Sequence, residues 1–213
     1  MSRPDVRQRE TYRHGDLQRA LLLAGIALAR NGGPDAVVLR EATRRAGVVP
    51  NAAYRHFASH HELLQAVRAA GLAALARAIE AELSALPRQM AAPLAARASL
   101  RAVGVGYLRF AQAEPGWFRT AFSVPDPVEA DADPAKAGDS GLNPFQLLAA
   151  ALDMFVVAGL MPAAQRPGAE YLAWSAVHGL ALLVIDGPLR GLPTAQVGAL
   201  GERLIAMVER GLS

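Results

Sequence analysis

Apolar residues recur at helical intervals along most of the chain. Leu17, Leu21, Ala24 and Leu28 are three or four residues apart, which predicts an amphipathic helix that ends at Gly32-Gly33-Pro34. No stretch alternates apolar and polar residues as a half-buried strand does, and no internal repeat is visible. The pattern therefore predicts an all-α protein.

Capping residues and helix breakers divide the rest of the chain. Ser59 and Glu62 form a capping box that is expected to begin a long helix, which stops near Leu86 because Pro87 follows. Trp117 to Phe122 is predicted to be a short aromatic turn, and Pro125 to Pro144 a mobile loop. The remaining predicted helices are Ala95 to Ala113, Phe145 to Leu160, Ala169 to Asp186, and Thr194 to about Arg210 with Thr194 as its N-cap.

The segment between Leu39 and Phe57 carries the clearest functional pattern. A short helix, Leu39 to Ala46, stops at Gly47, which can take the positive φ that ends a helix. Pro50 then suits the first position of a second helix, Pro50 to Phe57. Two helices joined by a short glycine-containing turn are typical of the helix–turn–helix, whose second helix enters the major groove of DNA. The spacing alone also allows two ordinary core helices with a solvated basic face.

Several short motifs occur in a fixed order in the N-terminal part of the chain. They are the helix-one aliphatics, Asn31-Gly32-Gly33, Arg40-Glu41, Arg44-Arg45-Ala46-Gly47-Val48, Tyr54-Arg55-His56-Phe57 and Glu62-Leu63-Leu64. With these motifs, residues 12–67 resemble the N-terminal domain of the TetR (tetracycline repressor) family of bacterial transcriptional regulators. A shorter segment, Trp174 to Gly179, resembles the Trp-His-Gly signature of one TetR subgroup.

The resemblance implies a fold and a function. It implies a three-helix DNA-binding head (residues 1–60), joined by a long helix to a helical domain (residues 61–213) that binds an effector and dimerises. It further implies a repressor that binds a palindromic operator as a homodimer and leaves it when a small hydrophobic effector binds. An all-α ligand-binding or scaffolding dimer without DNA function is the alternative. It is suggested by Val38 and His60, which stand where the family usually has Ser or Thr and Lys.

Several side chains of this segment are expected to contact DNA. Asn51 can pair with an adenine edge, Arg55 with guanine or phosphate, and Ala52 can touch a thymine methyl group. Tyr54 and His56 are expected to contact phosphates. Such contacts position a protein on DNA without reading its sequence. Protonation of His60 would add a phosphate contact, so we expect DNA affinity to rise at mildly acidic pH. The complete predicted set is Arg40, Thr43, Arg44, Pro50, Asn51, Ala52, Tyr54, Arg55, His56 and His60.

The distribution of charge agrees with a DNA-binding head. Ten arginines and five acidic residues lie in residues 1–57, whereas the whole chain has a net charge of +3. A local excess of cations is what phosphate binding requires, although a soluble basic surface would look the same. Four of these arginines, Arg3, Arg7, Arg9 and Arg13, are predicted to form an arm before the first helix, without order unless DNA is bound.

The C-terminal half has two predicted uses for its apolar residues, with ordinary buried core as the alternative for each. One is a mostly apolar effector pocket with a few polar groups. The other is a dimer interface built by the last two helices. The candidate pocket residues are Phe110, Trp117, Phe118, Phe122, Met154, Phe155, Trp174 and His178. The candidate interface residues are Val197, Leu200, Gly201, Leu204 and Val208.

Other classes of protein are disfavoured. There is no Gly-rich phosphate loop, G-x-S-x-G elbow or coherent metal-ligand spacing, so neither an enzyme nor a cofactor is predicted. The most apolar runs are shorter than the ~20 residues that span a bilayer. The absence of cysteine is compatible with a reducing compartment, and the polar, Arg-rich N-terminus lacks a secretory signal. We therefore expect a cytoplasmic protein with no membrane partner.

Overall fold

A computed structural model describes residues 6–124 and 133–212, and of residues 6–16 and 50 it describes the backbone alone. Within these ranges the protein is all-α, as predicted, with short 3₁₀ turns and no strand. Its helices are α1 (Val6–Gly32), α2 (Leu39–Ala46), α3 (Pro50–Ala53), α4 (His60–Ser84), α5 (Ala92–Ala113), α6 (Pro115–Ala121), α7 (Pro144–Val157), α8 (Ala169–Ile185) and α9 (Thr194–Gly211).

The chain forms two compact units. The N-terminal unit extends through Gly71, inside α4, and includes a second segment that begins at Gly116. The C-terminal unit contains the second part of α4 together with α5, α7, α8 and α9. The predicted domain boundary at residue 60 therefore lies before the point in α4 at which the units divide.

The core of the N-terminal unit is apolar, and helices α1, α2, α3 and α4 all contribute to it. Leu21 and Leu28 are buried on α1, as their spacing predicts, and Leu63 and Val67 of α4 are also buried. Gly25 permits close packing, because a Cβ added there would lie 2.7 Å from a methyl group of Val67. The long first helix is thereby fixed against the start of α4.

Helix α6 belongs to the N-terminal unit, although it follows α5 in the chain. Gly116 packs against the carbonyl oxygens of Ala29 and Arg30 at the end of α1. The indole Nε1 of Trp117 donates to the carbonyl oxygen of Val67 at 3.1 Å. A Cβ at Gly71 would lie 3.0 Å from the same Nε1, so this glycine makes room for Trp117. The predicted aromatic turn is therefore a helix.

The C-terminal unit is organised around α5, which packs against α7, α8 and α9. Ile205 of α9 lies against Gly104 of α5, and Leu108 of α5 lies against Gly201 of α9. The buried carboxylate of Glu209 forms an ion pair with Arg97. One side of α9 is therefore committed to the core of its own protomer.

Several predicted boundaries are wrong. The arginine arm is wrong for residues 7–13, because α1 begins at Val6; Arg, Gln and Glu are good helix formers, and the charge pattern does not oppose a helix. Arg3 lies outside the described residues. The second helix of the motif ends at Ala53 and not at Phe57. Pro193, not Thr194, is the N-cap of α9, and no side chain caps it.

The predicted mobile loop is partly structured. Residues 125–132 lie outside the described residues, but the chain from Asp133 onwards forms a 3₁₀ turn and a capped helix start. The carboxylate of Glu80 on α4 accepts the backbone N–H groups of Asp139 and Ser140, at 2.8 and 2.9 Å. Asn143 and Gln146 then form the capping box of α7. Sequence composition does not reveal the partner on α4, which is distant in the chain.

Candidate nucleic-acid interface and effector region

Helix α2 is short because both of its ends are fixed locally. Val38 occupies the N-cap without a side-chain cap, and Gly47 ends the helix with φ 68°. The N–H of Val48 then donates to the carbonyl oxygen of Thr43 at 3.1 Å, which closes the turn towards α3. Leu39 and Ala42 are buried beneath the helix, so the turn between α2 and α3 has a defined geometry.

Thr43 is placed differently from the other predicted DNA contacts. Its side chain is 2% exposed, and its hydroxyl donates to the carbonyl oxygen of Arg40 at 2.7 Å. A hydroxyl that is buried and already bonded is not accessible to a phosphate. Thr43 therefore packs in the core of the N-terminal unit although it is polar. Its spacing in the sequence did not indicate that burial.

Helix α3 and the turn after it have exposed polar side chains on one side and buried apolar side chains on the other. Asn51 and Arg55 are exposed, Tyr54 is 57% exposed, and Ala52 and His56 are half-buried. Ala53 and Phe57 are buried on the opposite side. The N–H groups of His56 and Phe57 both donate to the carbonyl oxygen of Ala53 at 2.9 Å, which tightens the chain after the helix. The predicted base-reading side chains are thus brought together and are accessible.

The arginines of α2 differ in their surroundings. Arg40 is exposed, and Arg44 is exposed but already bonded: its Nε and Nη2 donate to the two carboxylate oxygens of Glu41 at 2.8 and 2.6 Å. Arg45 Nε donates to the same carboxylate at 3.2 Å. Hydrogen bonds from Arg44 and then Arg45 lower the pKa of Glu41 to about 2, so this carboxylate stays ionised near neutral pH.

The predicted capping box at the start of α4 is confirmed, with a difference in one of its two hydrogen bonds. The N–H of Glu62 donates to Ser59 Oγ at 3.2 Å, as in a capping box. The Glu62 carboxylate accepts the N–H of Ala58 at 2.7 Å, one residue before the N–H that the motif normally uses. His60 is exposed at the first position of this helix. It therefore lies at the positive end of the α4 dipole, where an anion is favoured.

A partly buried polar cluster lies in the C-terminal unit between α5 and α8. Trp174 Nε1 donates to the hydroxyl oxygen of Tyr107 at 3.1 Å, and that oxygen lies 2.6 Å from His178 Nδ1. Burial raises the pKa of Tyr107 and lowers the pKa of His178, so both side chains are neutral near pH 7. The Tyr107 hydroxyl can then donate to His178 Nδ1, which leaves the histidine proton on Nε2.

The predicted pocket residues fall into two groups. Trp117, Phe118 and Phe122 belong to the N-terminal unit, where Trp117 and Phe118 are buried. In the C-terminal unit, Trp174 and His178 contact each other with ring centroids 5.9 Å apart. Phe110 and Phe155 are buried there, and Met154 is exposed. Tyr107 packs against His178 and Phe145 packs against Trp174, and neither residue was predicted from the sequence. An aromatic side chain with a polar tip on a buried helix face is a usable signal for Tyr107, whereas Phe145 has no polar tip.

The His178 contact predicts a pH-dependent stability. Because burial lowers its pKa in the folded state, the unfolded chain takes up the proton at higher pH than the folded chain does. Stability from this residue is therefore present above the ordinary histidine pKa of ~6.5 and is lost as the pH falls below it.

We expect the melting temperature of the wild type to fall more between about pH 7.5 and about pH 5 than that of His178→Asn. The amide oxygen of the variant can accept the Tyr107 proton without titrating, and the remaining histidines are common to both proteins. Thermal unfolding followed by circular dichroism measures the difference. Parallel pH profiles for the two proteins would contradict the assignment.

Helices α8 and α9 present an open groove of about 730 Å³. Leu183 and Met207 are exposed in it, and Arg203 and Arg210 add two cations. Its lining comprises Ala176, Gly179, Leu180, Leu183, Leu200, Arg203, Leu204, Ala206, Met207 and Arg210.

The predicted interface stripe of α9 is divided between two surfaces. Leu200 and Leu204 line the groove, whereas Val197 and Gly201 are buried against the protomer's own core, and Val208 is half-buried outside the lining. The i, i+3/i+4 spacing identified residues on a broad band of α9. Part of that band faces the groove, and part faces the protomer's own core.

Two absences hold for the part of the chain that the structure describes. No helix there is both long and apolar enough to cross a membrane. Nor do three or more His, Asp or Glu side chains come together there in a way that would hold a metal ion.

Comparison with known families agrees with this geometry. The fold, with its accessible α3 surface, is that of a helix–turn–helix regulator joined to a helical C-terminal unit. A family model described as "Bacterial regulatory proteins, tetR family" matches residues 21–67, and one described as "Tetracyclin repressor-like, C-terminal domain" matches residues 100–208. The chain belongs to the TetR family of bacterial transcriptional regulators. Members of this family are DNA-binding transcription factors, which confirms the prediction that the protein is not an enzyme.

Solved structures share the fold at low sequence identity. A protein of unknown function from Rhodococcus sp. RHA1 has a TM-score of 0.72 and 24% identity, with 92% of this chain and 95% of that chain covered. The TetR family regulator PfmR from Thermus thermophilus has a TM-score of 0.56 and 18% identity, covering 91% and 98%. A TetR variant from Acinetobacter baumannii AYE in complex with minocycline has a TM-score of 0.53 and 21% identity, covering 91% and 96%. No curated protein matches the chain.

Proposed function

We propose that this regulator is a repressor that binds a palindromic operator as a homodimer and leaves it when a small hydrophobic effector binds. The observation that carries the proposal is the accessible surface formed by Asn51, Tyr54 and Arg55 above the buried Ala53 and Phe57. Such a surface has the chemistry to read the edges of DNA bases, and the buried side chains beneath it hold it rigidly. DNA contact takes place in the cytoplasm, where a bacterial chromosome is located.

The DNA contacts have different roles in this proposal. Asn51, Ala52 and Arg55 read bases, and Tyr54, His56 and Arg40 bind phosphates. Pro50 sets the start of α3, and His60 adds a phosphate contact when it is protonated. Thr43 is left out because it is buried, and Arg44 contributes only when its pair with Glu41 opens.

The second copy of the chain is proposed to dock on the groove between α8 and α9. Its lining is mainly aliphatic and includes exposed Leu183 and Met207, which an isolated protomer would leave in water. The short side chains of Ala176 and Gly179 permit two helices to approach closely. Dimerisation also provides the two half-site contacts that a palindromic operator requires.

The effector is proposed to bind the C-terminal unit beside the cluster of Tyr107, Trp174 and His178. Aromatic side chains with a small number of directed polar groups are typical of sites for small, mostly apolar ligands. Phe145 extends the aromatic surface, with its ring centroid 6.1 Å from that of Trp174. The fold is shared with a TetR variant that was solved with minocycline, which supports a small-molecule ligand.

Two segments of the chain offer a route from the effector to DNA. Helix α4 passes from the N-terminal unit into the C-terminal unit after Gly71, and the chain re-enters the N-terminal unit at Gly116 in α6. Within the N-terminal unit α6 is bonded to α4 through Trp117 and Val67. An effector that favours a different position of α4 or α6 would alter the spacing of the two recognition helices, with a coupling of ~1–3 kcal/mol.

Fluorescence anisotropy tests the proposal. A duplex from upstream of the protein's own gene is compared with a scrambled duplex of equal length across a salt series. We expect selective binding with a steep salt slope in the wild type, and Asn51→Ala is expected to reduce the selectivity by about 1–3 kcal/mol. Arg109→Ala, an exposed arginine of the C-terminal unit, is the control and should bind as the wild type does. Equal, weak binding to both duplexes would count against DNA recognition.

A further inference from the structure

The first turn of α2 contains a carboxylate that is hydrogen-bonded to two of the helix's three arginines. Glu41, Arg44 and Arg45 are at i, i+3 and i+4, so their side chains share one face of the helix. Both carboxylate oxygens are used: Arg44 binds them in a fork, and Arg45 adds a third hydrogen bond. The Nε/Nη2 edge of Arg44, one of the two edges by which a guanidinium can bind a phosphate in a fork, is therefore occupied in the absence of DNA.

The pair is accessible, which distinguishes it from a structural ion pair. The Arg44 side chain is 72% exposed, and the Glu41 and Arg45 side chains are exposed by about a third. Helix α2 ends two residues after Arg44, so its side chain is attached at a fixed point on the surface beside α3. A phosphate that approaches Arg44 also approaches the Glu41 carboxylate, and the two anions repel each other.

We propose that Glu41 is a positioning residue that weakens DNA binding by holding Arg44 and Arg45 away from phosphates. This inference rests on the proposed DNA-binding function. Because the pKa of Glu41 is lowered to about 2, acidification near neutrality does not release the arginines. A change of affinity near neutral pH would thus have another origin.

Four variants test the proposal by anisotropy on the upstream duplex and on a scrambled duplex, over a salt series. Glu41→Gln frees the arginines without a change of size, and Asp35→Asn removes another exposed negative charge from the same unit. Glu41→Gln/Arg44→Ala, compared with Arg44→Ala, shows whether the effect passes through Arg44. Circular dichroism establishes that each variant is folded.

We expect Glu41→Gln to bind both duplexes on the order of tenfold more tightly at low salt, with a salt slope steeper by ~0.9 for each additional phosphate that the freed arginines neutralise. Its selectivity between the duplexes should be unchanged, because phosphate contacts carry no sequence information. Asp35→Asn should show a smaller change, and the Glu41→Gln effect should be largely lost when Arg44 is alanine.

The contrary outcomes separate this inference from the proposed function. If the wild type binds selectively and Glu41→Gln binds equally or more weakly, the carboxylate does not compete with phosphate and the inference alone is wrong. An equal gain from Asp35→Asn would also overturn it, since the effect would then be one of net charge. If neither the wild type nor Glu41→Gln binds either duplex at low salt, the proposed function and the inference fail together.

Discussion

Met207→Arg is expected to convert the protein into a folded monomer that binds its operator about 100-fold more weakly or worse. Met207 is 55% exposed and lines the groove between α8 and α9 beside Arg203 and Arg210. A third cation at this point would repel the corresponding cations of a second copy. A monomer holds only one half-site, so the gain from simultaneous contact with two half-sites is lost.

Val157→Arg is the control for this change. Val157 is 86% exposed at the end of α7 and does not line the groove, so the variant adds the same charge outside the proposed interface. Light scattering gives the mass in solution, where one protomer is 22.4 kDa, and anisotropy gives operator affinity. If the Met207→Arg protein remained dimeric and bound its operator with unchanged affinity, the second copy would have to dock elsewhere on the protein.

Gly116→Ala is expected to lower the stability of the N-terminal unit by about 3 kcal/mol. A Cβ at this position would lie under 3.0 Å from the carbonyl oxygens of Ala29 and Arg30, which are backbone atoms at the end of α1 and cannot rotate away. Helix α6 must then move off α1, which strains the Trp117 bond to Val67 as well. We expect the melting temperature to fall by about 10 °C, together with a loss of operator binding.

Gly198→Ala provides the comparison for this prediction. Gly198 is exposed within α9, and no described heavy atom outside its own stretch of helix lies within 4 Å of an added Cβ. Alanine is the better helix former, so this variant should be as stable as the wild type or more stable by roughly 0.5–1 kcal/mol. Calorimetry of both variants measures the difference. Equal melting temperatures would mean that α6 does not pack tightly on α1.

Local signals made most of the fold predictable. Gly47 and Pro87 act on the backbone within a few residues, and Ser59 bonds within its own turn, so the ends of α2 and α4 followed from the sequence. The position of α6 could not be predicted from the sequence, because the packing of Gly116 on α1 joins residues that are far apart in the chain. The Glu80 contacts with Asp139 and Ser140 are of the same kind.

The candidate DNA site was predictable by residue type but not by accessibility. The spacing around Gly47 indicated Asn51 and Arg55, and both are exposed. The same reasoning included Thr43, which is buried, and it treated Arg44 as available although Glu41 holds it. Burial and ion pairing depend on what the folded chain places around a side chain, and a single sequence does not display those neighbours.

Selection from a random pool of duplexes tests whether two copies of this protein read a palindromic DNA sequence together. The wild-type protein is incubated with the pool, and the bound duplexes are recovered and sequenced over several rounds. We expect an inverted repeat whose half-sites are spaced by about one turn of DNA, ~34–36 Å, or a multiple of it. Enrichment of an unpaired half-site, or of no sequence at all, would show that two copies do not read DNA in this way.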